Sequence, residues 1–395
     1  MRDLTSSRAK TSGYSGLRIL QQIAKDVKGS IIDFSIGDVT YSTSRNICEA
    51  AWKALKKGYT HYTPVLGLME LRQALAEKLQ RENSIECDPQ TEVLIAAGGS
   101  EGLMTTFLAT IDAEDEVLLW DPYYALFAPM VKICGGKVVS IPLREQKSFQ
   151  IDLEEIEQRI TSRTKMMILC NPHNPTGRVY SREELKAIAD IAIEKDLLVL
   201  SDETYEKILY DGNQHVSIGS LSGMKERTVT MISLSKWYAM TGWRLAYVVA
   251  DRLLMDSIAK MHAYNVSAAQ TSGQYAAIEA IRGRQDDAKS RLEEYRRRRD
   301  FIVKRLNEIR GTTCHMPMGT FYAFPNVSSY KKKSFEIAEY LLKEAKVFAV
   351  HGTAYGECGE GYIRFNFAIA RNMQEIEEGM DRMEAALKKD SFANR

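Results

Sequence analysis

Met166-Met-Ile-Leu-Cys170 runs into Asn171-Pro-His-Asn-Pro-Thr-Gly177, and further on Leu197-Leu-Val-Leu-Ser201 runs into Asp202-Glu-Thr-Tyr205. Each apolar run is too short for a helix and lacks the alternation of a half-exposed strand. Both therefore read as strands covered on both faces. The stretch Ser181–Glu194 between them has the periodicity of an amphipathic helix. Strand, helix and strand in that order make a parallel α/β unit. Working outward, the same pattern adds strands at Glu92–Ala96, Glu116–Trp120, Lys137–Ile141, Val229–Ser233 and Leu245–Ala250, with helices at Ser100–Ile111, Asp152–Ile160 and Asp251–Ala263. The fold class is thus α/β, with a mostly parallel seven-stranded sheet between helices.

Downstream, 276–310 reads as one long helix or two broken ones. Strands at Thr320–Phe324 and Tyr362–Phe367 then mix with helices at Phe335–Glu344 and Asn372–Ala386. That is the pattern of a smaller α+β domain, which the segment before Ser44 is expected to join. The expected division is 1–43 with the small domain, 44–282 as the large domain and 283–395 as the small carboxyl-terminal domain.

The 395 residues suffice for a large core plus this second domain. A net charge of +1 gives no reason to expect a nucleic acid or an anionic membrane as partner. The basic run Arg296–Arg299 points all around a helix and has acidic neighbours, so it forms no binding stripe. No apolar run approaches membrane-spanning length, and Met1–Lys10 lacks the apolar core of a secretory signal. Six scattered cysteines without a CxxC pair, and histidines without ligand spacing (His173 and His351 included), argue for a reducing, cytoplasmic setting and no metal.

The unusual polar residues follow the carboxyl ends of the strands. Gly98-Gly99-Ser100 follows the first and Asp121-Pro-Tyr-Tyr124 the second; Asn171–Gly177, Asp202–Tyr205 and Ser233-Leu-Ser-Lys236 follow three others. In parallel sheets the ligand crevice lies outside those ends. Gly98-Gly99-Ser100 opens a helix whose free N–H groups suit a phosphate, although such a pair is often only a turn. Asp202 ends an apolar strand and needs a cationic or N–H partner. A protonated pyridine nitrogen would serve, as in pyridoxal phosphate sites, and a helix cap is the competing reading. Lys236 sits among Trp237, Tyr238, Met240 and Trp243. Partial removal from water would make its amine usable for a Schiff base with pyridoxal 5'-phosphate. Arg244 and the Ser233 hydroxyl would then face the phosphate dianion.

With these residues the chain resembles the class I/II aminotransferases of pyridoxal-phosphate fold type I over nearly its whole length. Ser233-Leu-Ser-Lys-Trp-Tyr-Ala-Met-Thr-Gly-Trp-Arg244 looks like that family's lysine signature, and Gly361-Tyr-Ile-Arg364-Phe resembles the segment that grips the substrate α-carboxylate. The pattern is closest to the broad-specificity aspartate, aromatic and kynurenine branch. The resemblance implies that Lys236 holds the cofactor and shuttles the α-proton, while Asp202 pairs with the ring nitrogen. It implies hydrogen bonds from Tyr205 and Asn174 to the phenolic oxygen, and Tyr124 stacked on the ring. Gly99, Ser100, Ser233, Ser235 and Arg244 would bind phosphate, with Glu101 contributing its backbone. Arg364, Asn174 and the backbone near Gly37 would receive the substrate. Tyr62 resembles the tyrosine that reaches the neighbouring subunit's phosphate, which implies a homodimer. The implied reaction exchanges an amino group between an L-amino acid and a 2-oxo acid in two half-reactions. β-Elimination or oxidation at the same site is the enzymatic rival, and a non-enzymatic cofactor-sensing module the other.

Three positions depart from the common pattern: Gly37-Asp-Val-Thr-Tyr41, His351-Gly352 and Ala246. Some aspartate-using relatives carry a lysine where this chain has Ser100. Arg18 reads as a helix-surface charge rather than as its substitute.

Overall fold

The computed structural model describes residues 3–11 and 16–389; of the stretches 1–43 and 283–395, residues 1–2, 12–15 and 390–395 lie outside the described residues. Seven strands form one sheet: β1 (Val93–Ala96), β2 (Glu116–Asp121), β3 (Lys137–Pro142), β4 (Thr164–Cys170), β5 (Leu198–Asp202), β6 (Thr228–Ser233) and β7 (Ala246–Val249). Their order across the sheet is β1-β7-β6-β5-β4-β2-β3. Strands β2 to β6 run parallel, and β7 is antiparallel to both of its neighbours.

Strands β1, β2, β6 and β7 are buried along their whole length because helices cover both faces. Helix Gly99–Thr110 packs with Arg252–Val266 on one face, around Leu103, Phe107, Val117, Met231 and Ile258. Helices Arg45–Lys56, Met69–Asn83, Thr271–Arg282 and Arg182–Glu194 cover the other. Arg182–Glu194 begins with a capping box: the Ser181 hydroxyl accepts from Glu184 N–H at 3.2 Å, and the Glu184 carboxylate accepts from Ser181 N–H at 2.9 Å. Thr271–Arg282 and Asp286–Glu308 are separate helices. The break falls at Gly283, where a Cβ would lie 2.5 Å from the Glu279 carbonyl oxygen.

Val350–His351, Ile363–Asn366 and Tyr322–Ala323 form a second, antiparallel sheet in that order. Ile32–Asp33 pairs in parallel with Val347–Phe348, so the amino-terminal segment adds a strand to carboxyl-terminal structure. The Arg296–Arg299 run is dispersed around its helix: Arg298 is buried against the carbonyls of Phe367 and Ala370, and Arg299 pairs with Asp211 and Asp300.

One polar network interrupts the apolar packing. Lys78 is 1% exposed; its ammonium donates to Asn83 Oδ1 at 2.8 Å and to the Glu206 carboxylate. Burial pushes Glu206 up, but Lys78 and His215 more than offset it, leaving the carboxyl below its ordinary range. Glu203 is fully buried beside it and accepts from Ser201 Oγ at 2.9 Å, with His215 Nε2 at 2.8 Å. Removing one member of a buried pair strands the other charge. Lys78→Met should therefore lower unfolding free energy by about 3–5 kcal/mol, read by chemical denaturation, whereas exposed Lys186→Met should change it little.

Candidate active site

The carboxyl ends of β4, β5 and β6 and the start of helix Gly99–Thr110 border a cavity of about 320 Å³. Gly37, Gly99, Ser100, Tyr124, Asn174, Asp202, Tyr205, Ser233, Ser235, Lys236, Arg244 and Arg364 all line it. Glu101 and Tyr62 do not. The Glu101 carboxylate turns back, accepting from Ala97 N–H at 2.9 Å and meeting His262 Nδ1 at 2.9 Å. The Tyr62 side chain is 90% exposed.

The turn after β5 divides its residues between two sides. Asp202, Thr204 and Tyr205 line the cavity, while Glu203 and Glu206 enter the buried network under helix Met69–Asn83. The network thus anchors the turn from behind. Glu203, Glu206 and His215 bring their ligand atoms within 4.8 Å of one another, but Lys78 already supplies a cation there. Asp202 is 5% exposed and accepts from Thr204 N–H at 3.1 Å. Burial pushes its carboxyl up to about 6.

Lys236 follows β6 and donates to the Gly37 carbonyl. Burial draws its ammonium down to about 8 against the pull of Asp38, with Arg364 and Arg244 adding to the decrease. Gly37 must lack a side chain, because a Cβ would lie 2.6 Å from the Tyr322 hydroxyl. Gly98, at φ 92°, opens the helix, and a Cβ there would lie 2.4 Å from Arg244 Nη2. The Arg244 guanidinium therefore lies against the turn where the N–H groups of Gly99 and Ser100 begin the helix and lack intrahelical acceptors. Ser235 N–H donates to Ser233 Oγ at 3.1 Å, which fixes the approach to Lys236.

Arg364 is 4% exposed on the strand Ile363–Asn366. Its Nη2 donates to the Ser35 carbonyl at 2.7 Å and Nη1 to Asn174 Oδ1 at 3.2 Å. The rings of Tyr322 and Tyr355 flank the guanidinium, with centroids 4.2 and 4.7 Å away. Its Nε has no hydrogen-bond partner, and no carboxylate among the described residues pairs with it. The Tyr205 and Tyr322 hydroxyls are 2.7 Å apart.

Sequence reasoning passed over Tyr322 and Tyr355, whose aromatic neighbourhoods look like ordinary core. It also passed over the apolar wall of Leu17, Ile36, Leu126, Val350 and Ala354. In the segment Gly16-Leu-Arg18 it is Leu17 that lines the cavity, while Arg18 is exposed.

Asp202 has a pH signature. Its folded value, about 6, lies above the ordinary 3.8, so its contribution to stability is present below pH 3.8 and lost as pH rises through 6. In cofactor-free protein, Asp202→Asn should therefore stabilise the chain above pH 6 by up to about 3 kcal/mol. That difference should shrink toward zero as the pH approaches 4, measured by denaturation of both proteins across this range.

Residues 29–383 match the family described as "Aminotransferase class I and II". The chain is 40% identical over 385 residues to aromatic-amino-acid aminotransferase 2 of Thermococcus litoralis, covering 97% of this chain and 98% of that one. It is 41% identical over 385 residues to an aspartate aminotransferase of Pyrococcus abyssi, with the same coverage. Among solved structures, the aromatic aminotransferase of Pyrococcus horikoshii superimposes with a TM-score of 0.89 at 39% identity, over 94% of this chain and 99% of that one. The aspartate aminotransferase of Rhizobium meliloti gives 0.93 at 32%, over 98% and 99%. Matches this long, on a cavity of this composition, make the chain a member of the class I and II aminotransferases, which use pyridoxal 5'-phosphate.

Proposed function

We propose that the cavity residues divide the work of a pyridoxal-phosphate-dependent aminotransferase as follows. The observation that carries the proposal is the meeting of a desolvated Asp202, a depressed Lys236 and an unpaired Arg364 in one cavity. Each lacks what the cofactor or an amino acid would bring. The cradle beside Gly98, which a Cβ would fill, offers Arg244 and helix N–H groups to a phosphate. The residues present therefore fit the group. When bound, it supplies the electron-withdrawing ring that accepts the electron pair left at the amino acid's α-carbon.

Asp202 would hold the proton on the ring nitrogen, which an ordinary buried carboxylate does best when given a cation. Tyr205 and Asn174 would donate to the phenolic oxygen, and Tyr124 would cover one ring face. Ser100, Ser233 and Ser235 would join Gly99 and Arg244 around the phosphate, while Glu101 fixes the Ala97 N–H that precedes the turn. Lys236 would anchor the cofactor and, once released, carry a proton from the α-carbon on Nζ. With a value near 8, more of its amine is free at neutral pH than for an exposed lysine. Arg364, oriented by the Ser35 carbonyl and Asn174, would take the substrate carboxylate.

The far wall, Leu17, Ile36, Leu126, Val350 and Ala354, supports an amino donor with an apolar or aromatic side chain, paired with a 2-oxo acid acceptor. Exposed Trp52, Tyr59, Tyr62 and Tyr264 support a homodimer in which Tyr62 reaches the neighbouring active site. We place the large domain at 44–282 and the small one at 283–395 with 1–43, on the pairing of Ile32–Asp33 with Val347–Phe348. Six unpaired cysteines support a cytoplasmic setting. No helix among the described residues is long and apolar enough to cross a membrane.

Purified protein loaded with cofactor should show a visible absorbance band that amino donors bleach and 2-oxo acids restore. Lys236→Ala should lose transamination by at least about 10²–10⁴-fold; normal turnover in that variant would sink the assignment. Arg364→Leu should raise KM for the donor by at least about 30-fold, measured in steady state, while leaving the absorbance of the bound cofactor in place. Ammonia and pyruvate released without any oxo acid would instead favour elimination.

A further inference from the structure

Asp121 is 1% exposed at the carboxyl end of β2, and it does not line the cavity. Its carboxylate accepts from two consecutive backbone N–H groups, Glu357 and Cys358, each at 3.1 Å. Two residues on, Tyr123 N–H donates to the Tyr355 carbonyl at 2.6 Å. Residues 355–358 are thereby stitched to 121–123. Gly356 lies between the stitches at φ 116°, and a Cβ there would sit 2.1 Å from Asp121 Oδ1, so the close approach requires glycine.

The stitched loop lies between the strands Val350–His351 and Ile363–Asn366, and Ala354 and Tyr355 from it line the cavity. The Tyr355 ring lies against the Arg364 guanidinium. On the other side of the stitch, Tyr124 also lines the cavity. Burial raises the Asp121 carboxyl despite these hydrogen bonds, so its ionised form is disfavoured in the folded chain.

We propose that Asp121 is a positioning residue for the substrate carboxylate: its grip on the Glu357 and Cys358 N–H groups holds Tyr355 against Arg364 and closes the cavity over the donor. The proposal rests on the reading of Arg364 as the carboxylate site. Asp121 acts through the loop and touches neither cofactor nor substrate. Its loss would weaken carboxylate binding while leaving Lys236 and the ring contacts in place.

The test uses the full-length, cofactor-loaded enzyme and 3-phenylpropionate, a carboxylate without an amine, titrated through its effect on the cofactor's visible absorbance. Asp121→Ala should raise the Kd of this probe and the KM of an aromatic donor together by about tenfold, with kcat changed less than about threefold. Asp121→Asn keeps the size and folds with little disturbance, but turns an amide N–H toward one donor. It should fall between the two, and it decides the matter alone if the alanine variant does not fold. Unchanged probe affinity in the loaded variants, or a fall in kcat at constant KM, would overturn the proposal. Arg364→Leu serves as the reference: if it binds the probe as tightly as wild type, the carboxylate reading itself fails, whatever Asp121 does.

Discussion

A carboxylate, an ammonium and a guanidinium face one cavity of about 320 Å³, and among the described residues none of the three forms an ion pair. Parallel strands create this condition for Asp202 and Lys236, while the Arg364 guanidinium comes from the second, antiparallel sheet. The carboxyl ends of the parallel strands leave the sheet on the same edge, where a side chain is screened by helices on both faces yet still points into open space. Charges held there in low dielectric act strongly on whatever enters. Burial accordingly shifts Asp202 up and Lys236 down. Much of the surrounding structure keeps these groups in place without neutralising them.

That support is asymmetric. Asp202 and Tyr205 are held from behind by Glu203 and Glu206, whose own partners (His215, Ser217, Asn83 and Lys78) lie under the sheet and away from the ligand. Arg364 is held from the front, by a backbone carbonyl, an amide oxygen and two tyrosine rings. The first arrangement is rigid, a fully satisfied polar cluster in a packed layer. The second is built from separate segments that meet only when the loop 352–359 and the segment around Ser35 dock together.

The same contrast explains what could be read from sequence. Most of the central strands stood out because a strand covered on both faces is an unbroken apolar run, and polar residues directly after such runs are conspicuous; Lys137–Pro142, at the sheet edge, is half-exposed. Lys236, Asp202 and Asn174 were legible for that reason, with the family resemblance assigning their roles; Arg364, inside a strand, was legible from the resemblance of Gly361-Tyr-Ile-Arg364-Phe. Leu17, Ile36, Tyr322 and Tyr355 were not, because apolar and aromatic residues in a helix, a turn or a two-residue strand carry no signal separating a cavity wall from core. The two-residue strands Ile32–Asp33 and Val347–Phe348 are too short for any periodicity. Helices Arg45–Lys56 and Met69–Asn83 were missed as well; the second turns Arg72, Lys78 and Asn83 inward, which blurs its apolar stripe.

The parallel pairing of Ile32–Asp33 with Val347–Phe348 also has a meaning in time. Synthesis makes Ile32–Asp33 before the strands of the central sheet and Val347–Phe348 after them, so this pairing forms only once all of those strands have been made. The sheet can collapse from contacts between neighbouring segments, but the Arg364 end of the cavity requires joining stretches far apart in sequence. Asp202 and Lys236, by contrast, lie at or just after the ends of strands that are neighbours both in the sheet and in the chain.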